Sequence, residues 1–221
     1  MSWVLDSIEK YAAELQAIGV DEQAAPPPAP RWNQDWFPRL DAAAAYAVVR
    51  ESKPRRIIEV GSGHSTRFLA RAVADGGLDT RITCIDPRPR AKIKGLAVEW
   101  LAVPVQETST DVFKDLDILF IDSSHQLKPG SDVEFLVRKI IPGLRAGVRV
   151  HFHDIFLPDA YPPEWAWRRY NEQDAVAALI GKKLLSIEFS SHQARNSLPG
   201  VLAGLPLVSG ARETSLWLSR N

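Results

Sequence analysis

Apolar positions at Trp3, Leu5, Ile8, Tyr11, Leu15 and Ile18 recur at helical spacing and predict a first helix over residues 3–18, which Gly19 would stop. The run Ala-Ala-Pro-Pro-Pro-Ala-Pro at 24–30 suits neither helix nor central strand and predicts a stiff linker. The first helix is therefore expected as an arm, lying over the main domain or over a neighbouring subunit. A second helical stretch, about 38–51, leads into short apolar runs at 56–60, 81–85, 98–101, 117–121 and 147–152, each read as a strand. Helical patterns fall near 65–74, 90–95 and 131–141, with a weaker one at 107–114. The 131–141 stretch opens Ser131-Asp132-Val133-Glu134, a capping-box pattern, and stops at Pro142-Gly143. Strands as continuously apolar as Ile118-Leu119-Phe120-Ile121 require a parallel sheet covered on both faces. The alternation predicts a doubly wound α/β fold that takes its ligands at the carboxyl ends of the strands. After Asn171, read as an N-cap, a helix runs to about 180. Residues 183–190 and 214–219 follow as two strands. The gap between them suits a loop better than a helical crossover, so the final pair is expected to be antiparallel. Residues 1–37 form the expected arm and linker, and 38–221 the α/β domain.

The chain has 221 residues, enough for one such domain with a short appendage. Lys plus Arg and Asp plus Glu are both 27, so no net field favours nucleic acid or an acidic membrane, and neither partner is expected. No apolar run approaches the ~20 residues that span a bilayer. The N-terminus lacks the basic-then-apolar order of a signal peptide, so a cytoplasmic location is expected. The single cysteine, Cys84, cannot form an internal disulfide and reads as a buried strand residue.

The chemistry begins at Ile57-Ile58-Glu59-Val60-Gly61-Ser62-Gly63-His64-Ser65-Thr66. A strand that turns through glycines into a helix leaves bare N–H groups facing its carboxyl edge, a site for nucleotide-like cofactors. A dinucleotide fingerprint would place a third glycine where Thr66 stands, and here an acid, Glu59, precedes the first glycine by two residues. The segment resembles the first motif of class I S-adenosylmethionine-dependent methyltransferases. The resemblance implies a seven-stranded Rossmann-like methyltransferase fold over 38–221 with an antiparallel last strand. It also implies S-adenosylmethionine as cofactor, its amino acid end held by Glu59, Gly61, Ser62 and Gly63. Asp86, after the second strand, is placed to accept from vicinal ribose hydroxyls, or else is a solvated turn residue. Val105 and Gln106, after the third, could lie against the purine.

The fourth and fifth strands each deliver an aspartate at their exit, in Ile121-Asp122-Ser123-Ser124-His125 and His151-Phe152-His153-Asp154. Two carboxylates there form a plausible oxygen cage for Mg²⁺. The segments resemble catechol O-methyltransferase and related small-molecule O-methyltransferases, including a macrocin-type bacterial branch. By that resemblance Asp122 and Asp154 bind Mg²⁺ or another divalent ion, Asp122 also borders the cofactor, and the acceptor is a small-molecule hydroxyl. His125 stands where catechol O-methyltransferase has its catalytic lysine. It is a candidate general base alongside Asp122, or a loop histidine bonded to its neighbours. The family's asparagine after the second aspartate is Ile155 here, so water or His153 would complete the shell, and a histidine favours Zn²⁺, Fe²⁺ or Mn²⁺. His151, deeper in its strand, reads as a core residue.

The aromatic insertion 156–170 is either a lid over the substrate or an interface. Phe156, Tyr161 and Trp165 are its candidate pocket residues, with Trp36 on the opposite wall. A homodimer is expected from the arm. Three other readings stay open: a metal-dependent hydroxylase-like protein of the same fold, a non-catalytic S-adenosylmethionine binder, and a nicotinamide-dependent oxidoreductase.

Overall fold

The computed structural model describes residues 2–221. Seven strands form one sheet in the order β3-β2-β1-β4-β5-β7-β6. They are β1 (Arg56–Val60), β2 (Arg81–Ile85), β3 (Glu99–Leu101), β4 (Ile118–Ile121), β5 (Arg149–Phe152), β6 (Leu185–Ser190) and β7 (Leu216–Arg220). The first five are mutually parallel, and β7 runs antiparallel between β5 and β6. The expected fold class is the observed one, with the strand order reversing beside β1 and β4.

The apolar runs alternate as a sheet covered on both faces demands. Ile57, Ile118 and Phe120 join one buried cluster, and Ile58, Leu119 and Ile121 join the other. On the first face lie α1 (Trp3–Lys10), α3 (Arg39–Ser52) and α4 (His64–Asp75). The second face is covered by α5 (Asp132–Phe135) and α6 (Glu172–Gly181).

The N-terminal arm lies on its own domain. Val4, Leu5 and Ile8 share the core of α3, and Lys10 and Tyr11 both reach Glu51, at 2.7 and 3.0 Å. The helix breaks at Tyr11 and resumes as α2 (Ala12–Gln16). Alanines let α3 be buried continuously from Leu40 to Val49, so it packs between the arm and the sheet. A short helix not anticipated, α7 (Ser191–Ala194), follows β6.

Three helical expectations are corrected. Residues 90–95 form no helix: Pro87 and Pro89 crowd its start, and the Arg90 N–H is drawn to the Ser62 carbonyl at 3.1 Å. The 107–114 stretch is two 3₁₀ turns, Val105–Glu107 and Thr110–Phe113. The 131–141 helix begins as capped by Ser131, then widens into a π-helical stretch over Leu136–Ile140 before Pro142 ends it. Among the described residues no helix is long and apolar enough to cross a membrane.

Candidate active site

A cavity of about 680 Å³ opens at the carboxyl ends of β1, β2, β4 and β5, in the range of small-molecule sites. One end is built by the glycine turn. Gly61 has φ +80°, and a Cβ there would stand 1.8 Å from the Asp122 carbonyl oxygen, so only glycine allows the two strand exits to approach. Thr66 ties the turn to the first residues of α4: its hydroxyl accepts from the Gly63 N–H at 2.9 Å and donates to Glu59 at 2.6 Å. Ser65 donates to the other Glu59 oxygen at 2.6 Å. Glu59 is completely buried and does not line the cavity. Its carboxylate is spent beneath the turn, so the direct contact expected of Glu59 is replaced by support of the loop. Burial, opposed by the Ser65, Thr66 and Cys84 hydrogen bonds, raises its pKa to about 7.

Gly61, Ser62, Gly63, Asp86, Val105, Gln106 and Asp122 all line the cavity. Asp86 accepts from the Ser62 N–H and the Arg88 N–H, each at 2.7 Å, which leaves lone pairs for further donors.

At the other end four side chains converge. His125 Nε2 lies 3.4 Å from Asp122 Oδ1 and 3.6 Å from Asp154 Oδ2. His153 Nδ1 lies 3.4 Å from Asp122 Oδ1 and 3.6 Å from Asp154 Oδ1. Each imidazole is held from behind by a further carboxylate: Glu172 is 2.9 Å from His125 Nδ1, and Asp41 is 3.2 Å from His153 Nε2. Burial opposes charge on both rings. The surrounding carboxylates outweigh it, Asp122 and Glu172 for His125 and Asp122 and Asp154 for His153, and both pKa values are raised well above the ordinary histidine range. Asp122 is held below its ordinary value: burial would raise it, but His153 and His125 prevail. His125 and Asp154 both adopt positive φ, 57° and 55°, a strained region that the surrounding contacts must hold. Asn171 supplies one such contact, its N–H donating to the His125 carbonyl at 3.1 Å. His151 stacks on Phe120 at 3.7 Å between centroids and bonds Ser215 at 2.8 Å, a core residue as expected.

The structure thus brings together Asp122, His125, His153 and Asp154. Of the expected pocket residues, Trp36 and Trp165 line the cavity, whereas Phe156 and Tyr161 do not. Phe156 is buried one layer behind, edge-on to Trp165, Tyr161 and His192. The insertion forms a cavity wall through a 3₁₀ turn, Pro163–Arg168, and Glu164 pairs with Arg212 near the mouth. Glu172, Asp41, Arg168 and Tyr170 were not foreseen. Asp41 was the most findable, as a lone acid inside the apolar run Leu40 to Ala45.

Residues 58–155 match the family model described as a methyltransferase domain. No curated protein matches the sequence. Among solved structures, the chain is similar to the SAH-bound methyltransferase PaMTH1 of Podospora anserina, at 16% identity over 98% of this chain and 88% of that one, with a TM-score of 0.57. It is also similar to cofactor-bound Rv0187 from MTB, at 14% identity over 97% and 89%, with a TM-score of 0.54. A Klebsiella pneumoniae protein provisionally named an O-methyltransferase matches at 15% identity over 99% and 90%, with a TM-score of 0.53. Sheet order, glycine turn and cavity position define the fold of class I methyltransferases. Residues 58–155 thus carry the methyltransferase-domain match, and the chain as a whole shares the fold of these structures.

Proposed function

We propose that the protein transfers the methyl group of S-adenosylmethionine to a hydroxyl of a small molecule. The observation that carries this reading is the placement of His125. It is backed by Glu172, and its Nε2 stands between Asp122 and Asp154 in the cavity that the glycine turn also lines. Gly61, Ser62 and Gly63 would seat the amino acid end of the cofactor, Asp86 the ribose, and Val105 with Gln106 the purine.

The donor carbon is already activated by the positive sulfur, so the protein's task is alignment and proton management. The acceptor hydroxyl gives its proton to His125 Nε2. Its oxygen then takes the methyl carbon, and the C–S electron pair returns to sulfur. Glu172 keeps the ring oriented and stabilises the imidazolium so formed. Trp165 and Tyr170 wall the acceptor end and exclude water.

A second reading, divalent-metal assistance, is favoured by one observation: each imidazole facing Asp122 and Asp154 is oriented by a carboxylate behind it, as histidine ligands are. The donor chemistry suits such an ion, although among the described residues no group of three or more closes a cage around one point. Asp122, Asp154 and His153 would hold it, and it would lower the acceptor hydroxyl's pKa.

Titrating the protein with S-adenosylmethionine, then assaying methyl transfer to a panel of phenolic and aliphatic hydroxyls, tests the proposal. Micromolar binding that Asp86→Ala removes, with product from at least one hydroxyl, is the expected result. No cofactor binding with and without added Mg²⁺ or Mn²⁺ would overturn it.

A further inference from the structure

One cation of the acceptor end is left without a full set of partners. Arg168 lines the cavity from the insertion, its guanidinium 4.0 Å above the Trp165 ring and 5.5 Å from Tyr170. Its Nη1 donates to the Tyr170 hydroxyl at 3.3 Å and lies 3.8 Å from Asp154 Oδ2, too far for a hydrogen bond. Its Nε is buried and has no partner. Stacking on an aromatic face fixes the plane of a guanidinium while leaving its in-plane N–H edges unspent. The backbone holds the position as well, since the Arg168 carbonyl accepts from Gln126 Nε2 at 3.0 Å, which ties it to the loop that carries His125.

A buried donor without a partner marks a missing acceptor, and a planar, immobilised guanidinium is suited to a carboxylate. The missing partner lies beside the group assigned to the acceptor's proton, because Tyr170, which Arg168 touches, is also 4.6 Å from the His125 ring. Trp165 and Tyr170 line the same cavity. We infer that the acceptor is an aromatic hydroxy acid, with its ring against Trp165 and Tyr170, its carboxylate on Arg168 and its hydroxyl at His125. This assignment rests on the methyl-transfer reading above and adds the substrate class. It makes Arg168 a specificity residue that acts on binding rather than on the transfer step.

The experiment compares 3,4-dihydroxybenzoate with its uncharged methyl ester, in the wild type and in Arg168→Met and Arg168→Lys. Two quantities are read: kcat/KM for methylation, and direct binding of each probe to the complex with S-adenosylhomocysteine. The wild type is expected to prefer the acid by about tenfold or more, the size of one good ionic contact. In Arg168→Met the preference should fall to about one, through KM. Arg168→Lys should restore part of it. Equal use of acid and ester by the wild type, or a preference that survives Arg168→Met, overturns the inference and leaves methyl transfer standing. If neither probe is methylated, acid-selective binding that depends on Arg168 still supports the inference, and binding without selectivity overturns it. Failure to bind S-adenosylhomocysteine at all removes the methyl-transfer reading and this inference with it.

Discussion

His125 and Glu172, 47 residues apart, meet at 2.9 Å between Nδ1 and Oε2, with the carboxylate wholly buried at the start of α6. The contact fixes which nitrogen faces the cavity, because the partner of one ring nitrogen decides what the other can do. Removing the ring should cost more than removing its support. His125→Ala is expected to lower kcat by roughly 10²–10⁴-fold, the usual worth of a general base. Glu172→Gln should lose part of that, in kcat rather than KM, with S-adenosylhomocysteine affinity unchanged. Single-turnover kinetics with titration of both variants check it; a Glu172→Gln defect confined to KM would remove the positioning role.

Because the carboxylates around His125 outweigh the effect of burial, the pKa of the ring is raised well above the ordinary histidine range, and its proton is held to higher pH than on a free imidazole. A protonated imidazole cannot accept the hydroxyl proton. The active fraction therefore grows as pH rises toward the raised pKa, and kcat/KM should climb on the alkaline side of neutrality rather than level off near 6.5. Replacing Glu172 with glutamine removes one of the groups that raise the pKa, so the rising limb should move to lower pH. A pH–rate profile of the two proteins decides this, and coincident limbs would refute it.

Glu59 gives a stability prediction of defined sign. Burial, against the hydrogen bonds of Ser65, Thr66 and Cys84, moves its pKa from an ordinary 4.5 to about 7. Between those values the folded chain keeps a proton that the unfolded chain releases. Stability from this group is thus full below pH 4.5, falls as pH rises through 7 and is flat beyond, a loss of roughly 3 kcal/mol. Glu59→Gln cannot accept from both hydroxyls and should be less stable at low pH, but its stability should vary less between pH 4.5 and 8. Urea unfolding across that range measures the difference between the two slopes.

Local pattern explains how much of this was legible. Strands β1 and β2 were readable to the residue, since each is a short run rich in β-branched residues that starts at an arginine and stops at a glycine or Asp-Pro turn. Both strand-exit aspartates and the glycine turn were equally plain, because each lies where a strand must stop. The 90–95 stretch misled: its helical spacing was outweighed by two prolines and by the pull of the Ser62 carbonyl. Glu172 behind His125, and Asp41 behind His153 at a separation of 112 residues, were not legible. Periodicity reports on neighbours along one element, and these pairs exist only once the sheet brings α3 and α6 to the same edge.

Gly61 is the position where the turn tolerates least. Its φ of +80° disfavours any side chain, and a Cβ would overlap the Asp122 carbonyl, which is backbone and cannot rotate away. Gly61→Ala should separate β1 from β4 at their exits, lowering the melting temperature and weakening S-adenosylhomocysteine binding by more than about tenfold. Gly143→Ala, away from the cavity, is the control, because nothing lies within 4 Å of its added Cβ. Thermal shift with and without ligand compares the two, and equal behaviour would mean that the Gly61 approach does not matter.

Charge balance at the strand exits bears on metal removal. Asp122 and Asp154 already face His125 and His153 at 3.4–3.6 Å, and Arg168 stands 3.8 Å from Asp154. A divalent ion entering there would compete with a proton for His153 and sit beside a guanidinium, so its binding competes with the protein's own cations. The rate of methyl transfer is therefore expected to persist after treatment with EDTA and to change less than about threefold on adding Mg²⁺ or Mn²⁺. Loss of activity in EDTA, restored by Mn²⁺ and abolished in Asp122→Asn, would instead establish the metal-assisted reading. In that case the resting pair of His153 with Asp122 is a stand-in for coordination, and proton release on Mn²⁺ binding, followed by calorimetry in buffers of different ionisation enthalpy, would report it directly.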